Sequence, residues 1–169
     1  MADYYSPTVV RPSISADAIT SLELAVLKQM FEFEADGDAI YFFSSEGPSD
    51  TIWLDIETLK AGLAEHAERS GALAAAGNDD EEIELDLPDL GGAEIFQGIV
   101  RRCEGLSAVV ITSAWTCTKM RPDGFGGGVT VVTADHILSS STAQMECELL
   151  DRAESGEAGG APGQEMDHG

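Results

Sequence analysis

Ala108-Val109-Val110-Ile111-Thr112-Ser113-Ala114-Trp115-Thr116-Cys117-Thr118 reads as the strongest strand of the chain, and its reading decides the fold. Successive side chains of a strand point to opposite faces. Val109, Ile111, Trp115 and Cys117 therefore share one face, and Val110, Thr112 and Thr116 the other. The first set is apolar, so Trp115 and Cys117 are expected in the core. Arg121-Pro122-Asp123-Gly124 follows as a turn, and Gly126-Gly127-Gly128 prolongs it. Val129-Thr130-Val131-Val132-Thr133-Ala134 then returns as a strand, which makes a hairpin. Asp135 is placed to cap a last helix running to about Arg152.

Working outward, residues 93–104 carry Ile95, Phe96, Ile99 and Val100 at helical spacing. Residues 39–44 hold Ile40-Tyr41-Phe42-Phe43, a strand. Glu46-Gly47-Pro48-Ser49 is turn chemistry, and residues 51–54 read as the returning strand. Asp55 can cap a helix to about Ser70, with Ile56, Leu59 and Leu63 inward. A first helix spans roughly Asp17 or Thr20 to Glu34, where Thr20 and Glu23 have capping-box spacing. Leu22, Val26, Met30 and Phe33 form its stripe, flanked by Leu24, Leu27 and Phe31, and Asp36-Gly37-Asp38 breaks it. Residues 4–15 form a proline-punctuated arm, either an edge strand or a loop laid on the core. Ile83, Leu85 and Leu87 alternate with acids, the pattern of a strand with one wet face.

The two halves repeat one order: helix, strand, turn, strand, Asp cap, helix. The expected fold is α+β, an antiparallel sheet built from two hairpins with helices packed on one face. Residues 1–152 form a single α+β domain with an internal acidic and small-residue linker at about 71–82. Residues 153–169 are expected to be a disordered acidic tail, because glycine, alanine, glutamate and proline dominate there.

The totals bound the function. Acidic residues number 31 against 9 basic ones, a formal net charge of -22 over 169 residues. That field repels nucleic acid and anionic membrane, and it attracts basic protein surfaces. No run of about 18 apolar residues exists to span a bilayer. Met1-Ala2-Asp3-Tyr4-Tyr5 lacks the basic and apolar regions of a signal peptide. Cys103, Cys117 and Cys147 are odd in number and widely spaced, so a reducing cytoplasm is the natural setting.

Few residues suggest chemistry. Glu32-Phe33-Glu34-Ala35-Asp36-Gly37 imitates the start of a calcium loop, but Phe43 stands where the bidentate glutamate belongs, so solvated acids at a helix end are expected. Gly124-Phe125-Gly126-Gly127-Gly128 precedes a β-branched run rather than the helix a phosphate loop needs. Its neighbours Lys119, Arg121 and Phe125 nevertheless put cationic and apolar groups in a glycine-rich tip, a candidate binding loop. Arg101 and Arg102 would favour a thiolate at an exposed Cys103, though a half-buried structural thiol is the expected reading. His66, His136 and His168 have no helical zinc partner, and no nucleophile elbow occurs. No metal, cofactor or catalytic residue is therefore expected. The acidic tract is the second candidate: Glu82, Glu84, Asp86 and Asp89 alternate with apolar residues that anchor a row of carboxylates. Such a row can occupy a basic groove built for nucleic acid, or simply block strand-to-strand aggregation.

Tyr4-Tyr5-Ser6-Pro7-Thr8-Val9-Val10, Tyr41-Phe42-Phe43, Glu46-Gly47-Pro48-Ser49-Asp50 with Trp53, and Lys119-Met120-Arg121-Pro122-Asp123-Gly124-Phe125-Gly126-Gly127 carry a resemblance. They resemble small uncharacterised acidic proteins carried on bacterial plasmids. The resemblance implies a mobile-element setting and supplies no catalytic residues. The expectation is a non-enzymatic acidic protein that engages a basic, nucleic-acid-binding host or plasmid protein, as a nucleic-acid mimic that inhibits a nuclease or defence complex. The alternative is a plasmid maintenance or regulatory module that binds a peptide or small ligand through the loop at 119–128.

Overall fold

The computed structural model describes residues 2–55, 57, 58, 61, 62, 82–86 and 92–156, with the backbone alone for 55 and 82–86. Its strands are β1 (Tyr4–Tyr5), β2 (Thr8–Arg11), β3 (Ile14–Ser15), β4 (Glu32–Asp36), β5 (Ala39–Ser44), β6 (Thr51–Asp55), β7 (Glu82–Asp86), β8 (Ala108–Cys117), β9 (Gly126–Thr133) and β10 (Ile137–Ser141). Its α-helices are α1 (Ser21–Met30), α2 (Gly92–Arg102) and α3 (Thr142–Glu154). The class is α+β with an antiparallel sheet. The sheet runs β10-β9-β8-β2-β5, with β4 beyond β5, β1 beside β8 and β3 beside β5. β6 and β7 form a separate two-stranded ribbon.

The N-terminal arm is therefore not an edge. β2 lies between β8 and β5, with Val10 opposite Ile111 and Val9 opposite Phe43. Prolines flank it rather than interrupt it: Pro7 precedes β2 and Pro12 separates β2 from β3. A proline gives no N–H to a ladder, so the central pairing is confined to the residues between.

The first helix stops earlier than its apolar stripe suggests. After Met30 the chain enters β4, which pairs with β5 from Glu32↔Phe43 to Asp36↔Ala39. Gly37, at φ 61°, starts the two-residue turn, the conformation in which a glycine opens a type II′ hairpin. So residues 32–37 are strand and turn, not a helix end. The strands at 39–44 and 51–55 do not pair with each other: β5 turns back on β4, and β6 takes β7. Asp135 caps no helix either. It sits in the turn from Thr133 to His136, whose backbone closes at 2.8 Å, and β10 follows. The capping box belongs to Ser141 and Gln144. The repeated order of the two halves fails at both points. Of the helix expected after Asp55, residues 57, 58, 61 and 62 are helical and the remainder lies outside the described residues, as do 71–81 and 157–169.

The core lies on one side of the sheet. Val10, Ile14, Phe42, Val109 and Val132 from the strands meet Leu22, Val26, Leu27 and Met30 of α1 and Ile95, Phe96, Ile99 and Val100 of α2. Phe31, Phe42 and Phe96 form its aromatic centre, with ring centroids 5.9–6.4 Å apart. Ile52 and Leu54 of the ribbon close it, and Gln29 of α1 holds the backbone of Trp53 from both sides. Glu23 is buried in this layer without being unpaired. It completes the capping box with Thr20 and accepts from Arg102 of α2 at 2.5 Å. This bond joins the two helices at the N-terminus of α1, where the helix dipole favours a negative charge.

Candidate interaction site

The other side of the sheet gathers aromatic, apolar and acidic side chains. Alternation puts Val9, Tyr41, Phe43, Thr112 and Ala114 on the face opposite the core. Cross-strand partners share a face, so Glu32, Glu34 and Asp36, registered with Phe43, Tyr41 and Ala39, border it with a row of carboxylates. Between them lies a depression of about 460 Å³, lined by Pro7, Val9, Glu34, Tyr41, Phe43 and Thr112 among others. The Tyr41 and Phe43 rings stack at 5.4 Å along its wall. The hydroxyl of Thr112 in its floor is shielded and has no hydrogen-bond partner. At the acidic rim, Glu32 accepts from the Ser45 N–H at 2.8 Å. Arg11, exposed at the end of β2, is on the same face. On the reverse side of β4, Phe33 is covered by the Lys28 ammonium, 4.7 Å from the ring centroid.

The sequence places its acidic row elsewhere, on residues 82–89. Glu82, Glu84 and Asp86 do lie on a strand, registered opposite Asp55, Trp53 and Thr51. Trp53 and Thr51 are exposed, and Ile52 and Leu54 on the alternate positions are buried. Asp89 lies outside the described residues. The two acidic rows belong to different sheets. The row on β4 escapes the sequence reading because Phe33 continues the helical stripe of Leu22, Val26 and Met30. The signal that reveals it is Gly37-Asp38, a two-residue hairpin turn between two alternating runs.

The glycine-rich segment divides in two. Gly126, Gly127 and Gly128 are part of β9, not of a loop tip. A Cβ on Gly126 would stand 2.8 Å from the Trp115 ring and 2.7 Å from the Thr142 hydroxyl, and one on Gly128 would stand 3.3 Å from Trp115. The glycines are thus the floor on which the Trp115 indole lies. Trp115 remains 39% exposed, so it is not the core residue its strand face implies; it lies toward the end of β8, over the glycines. The connection proper runs from 118 to 125. Lys119, Arg121 and Phe125 are all exposed there. Gly124 is pressed on Cys117, where a Cβ would meet the Cys117 Cβ at 2.3 Å. Tyr4 stands beside this turn. Its phenol is held above the usual range, first by the Cys117 charge and then by desolvation, against the Arg121 hydrogen bond.

The arginines that flank Cys103 are engaged elsewhere: Arg102 with Glu23, and Arg101 with the Ala134 carbonyl at 2.7 Å. Cys103 is half-buried, and His136 is exposed in the β9–β10 turn. Among the described residues no three His, Cys, Asp or Glu side chains gather to hold a metal ion. No helix among them is long and apolar enough to cross a membrane. No family model, curated protein or solved structure matches the chain.

Proposed function

We propose that this protein is a non-enzymatic acidic binding protein that engages a basic partner protein, with the face of the sheet opposite the core as its contact surface. The observation that carries this reading is the juxtaposition on that face. Three carboxylates on β4 border an apolar depression walled by Tyr41 and Phe43. An amphipathic segment bearing lysine or arginine fits both halves, with apolar side chains in the depression and cations along the rim. Alternate residues of a strand recur about every 6.8 Å. One strand of DNA presents a charge about every 3.4 Å along its axis. The DNA backbone winds around that axis in two long curved rows, whereas β4 offers three carboxylates in one short line, which favours a receptor for a basic segment over a copy of the duplex. Glu82, Glu84 and Asp86 on β7 extend the negative field that steers the partner. A basic protein of the host or of a mobile element, including a nuclease or defence complex, is the partner class this field selects.

The test is capture of partners from a host lysate by the full chain, at low and at high salt, beside Glu32→Gln/Glu34→Gln/Asp36→Asn. The intact chain should retain a basic protein whose yield falls as salt rises. The triple variant should bind it more weakly, from a few-fold to roughly a hundredfold, since each exposed pair contributes about 0.2–1 kcal/mol and 1.4 kcal/mol is tenfold. Capture that ignores both salt and the triple variant would remove this face from the account. Glu82→Gln/Glu84→Gln/Asp86→Asn, measured beside it, reports how much the second row adds.

A further inference from the structure

The depression on the acidic face holds a more specific arrangement than carboxylates beside an apolar surface. Glu34 pairs across the strands with Tyr41, and the Cβ atoms of such partners lie about 4.5–5.5 Å apart. Tyr41 and Phe43 stand two residues apart on β5, and their rings are stacked, 21° from parallel. A carboxylate therefore stands beside a flat aromatic pair, and all three side chains line the same depression. The acids of β4 are not equivalent there. Glu32 is engaged by the Ser45 N–H, and neither it nor Asp36 lines the depression. Glu34 does, and among the described residues it has no hydrogen-bond or ion-pair partner. No cation lines the depression either: Arg11 shares the face but lies two residues beyond Val9, outside the lining.

We propose that this depression is a receptor for an arginine side chain, with the guanidinium laid against the Tyr41–Phe43 pair and its edge turned to the Glu34 carboxylate. The inference rests on the reading of this face as the contact for a basic segment, and it narrows which cation that segment must carry. Both halves of the arrangement select arginine over lysine. A guanidinium is planar and weakly hydrated, so it stacks on an aromatic face, whereas an ammonium is compact and holds its water. The guanidinium also offers a fork of N–H donors that matches the two oxygens of a carboxylate. The arginine stem is apolar and suits the Pro7 and Val9 part of the lining. A methylated ammonium fits less well, because aromatic cages surround it and two nearly parallel rings make a single wall. The volume of about 460 Å³ leaves room for an apolar neighbour from the same segment.

Matched peptides test the proposal on the full chain. Two amphipathic peptides of identical sequence, except that every cation is arginine in one and lysine in the other, are titrated by isothermal calorimetry at one salt concentration. Their net charges are equal, so long-range attraction is common to both. The arginine peptide should bind about tenfold more tightly. Tyr41→Leu keeps an apolar side chain and removes one ring, and Glu34→Gln removes the charge; each should shrink that ratio toward one. Equal binding of the two peptides by the parent would overturn the proposal and leave the face as a general cation contact. A preference that survives undiminished in both variants would overturn it too. If neither peptide binds the parent, the reading of the face falls and this inference falls with it. The comparison on the parent needs no variant, so it decides the question even if Tyr41→Leu fails to fold.

Discussion

β4 and β10 end the same sheet, and they treat an exposed strand edge in opposite ways. Glu32-Phe33-Glu34-Ala35-Asp36 carries an acid at every second position and is exposed along its whole length. Charged side chains on an edge discourage a second strand from pairing there. Ile137-Leu138-Ser139-Ser140-Ser141 has no charge, and it leads directly into a helix whose apolar side chains face solvent. One edge is lined with carboxylates that deter a further strand; the other carries no charge at all. The chain's net charge falls on β4 and on Glu146, Glu148, Asp151 and Glu154 of α3, and it spares β10. Its surface is not uniformly acidic, and the two ends of one scaffold carry different chemistry.

Both edges hang on a shared middle, which is the first way to break the comparison. Phe42→Ala removes the ring between Phe31 and Phe96 at a position 1% exposed. It should lower the unfolding free energy by about 3–5 kcal/mol in chemical denaturation. Amide signals of β4 and of β10 should then be lost together near the new midpoint. Loss of one without the other would show that the two ends fold independently.

Gly126→Ala sharpens the comparison by acting on one end. Its Cβ would crowd the Trp115 ring and the Thr142 hydroxyl, a destabilisation of about 1–3 kcal/mol. Amide exchange should quicken at the start of α3, which Thr142 begins, while capture by the acidic face should be unchanged. Trp115→Ala relaxes the same contact from the other side. With Trp115 already 39% exposed, thermal or chemical denaturation should show a loss of only about 1–2 kcal/mol. A loss as large as that of Phe42→Ala would mean the indole belongs to the core after all.

What the sequence makes legible follows from how local the deciding interaction is. α1 begins where Thr20 and Glu23 say it does, because a capping box is closed within three residues. α2 and β8 are likewise evident, since Ile95, Phe96, Ile99 and Val100 keep helical period and β8 is long. The pairings are not local, and they escape. Nothing in Thr51–Asp55 announces that its partner is Glu82–Asp86 rather than the nearer β5. Ile137–Ser141 contains three serines, and it is a strand because Val129 and Val132 offer it a ladder. Two signals were present but stood behind stronger patterns: Gly37-Asp38 as a hairpin turn, and Ser141-Gln144 as a capping box behind Asp135. The acidic face combines both kinds of miss. Its carboxylates lie in a strand that reads as helix, and its apolar half comes from β2, β5 and β8, which only the fold unites.

The smallest expected effect is on stability at the acidic edge. Neutralising Glu32, Glu34 and Asp36 removes exposed like charges, and the thermal midpoint should stay level or rise slightly. That makes the edge suitable for the most direct test of the central claim. An amphipathic peptide containing lysine and arginine is titrated into the isotopically labelled chain, and backbone amide shifts are followed by NMR. The account predicts shifts at Glu34, Tyr41, Phe43, Val9 and Thr112 that fade as salt rises, with β10 and α3 unmoved. Shifts confined to Lys119, Arg121 and Phe125, or a pattern indifferent to salt, would contradict it.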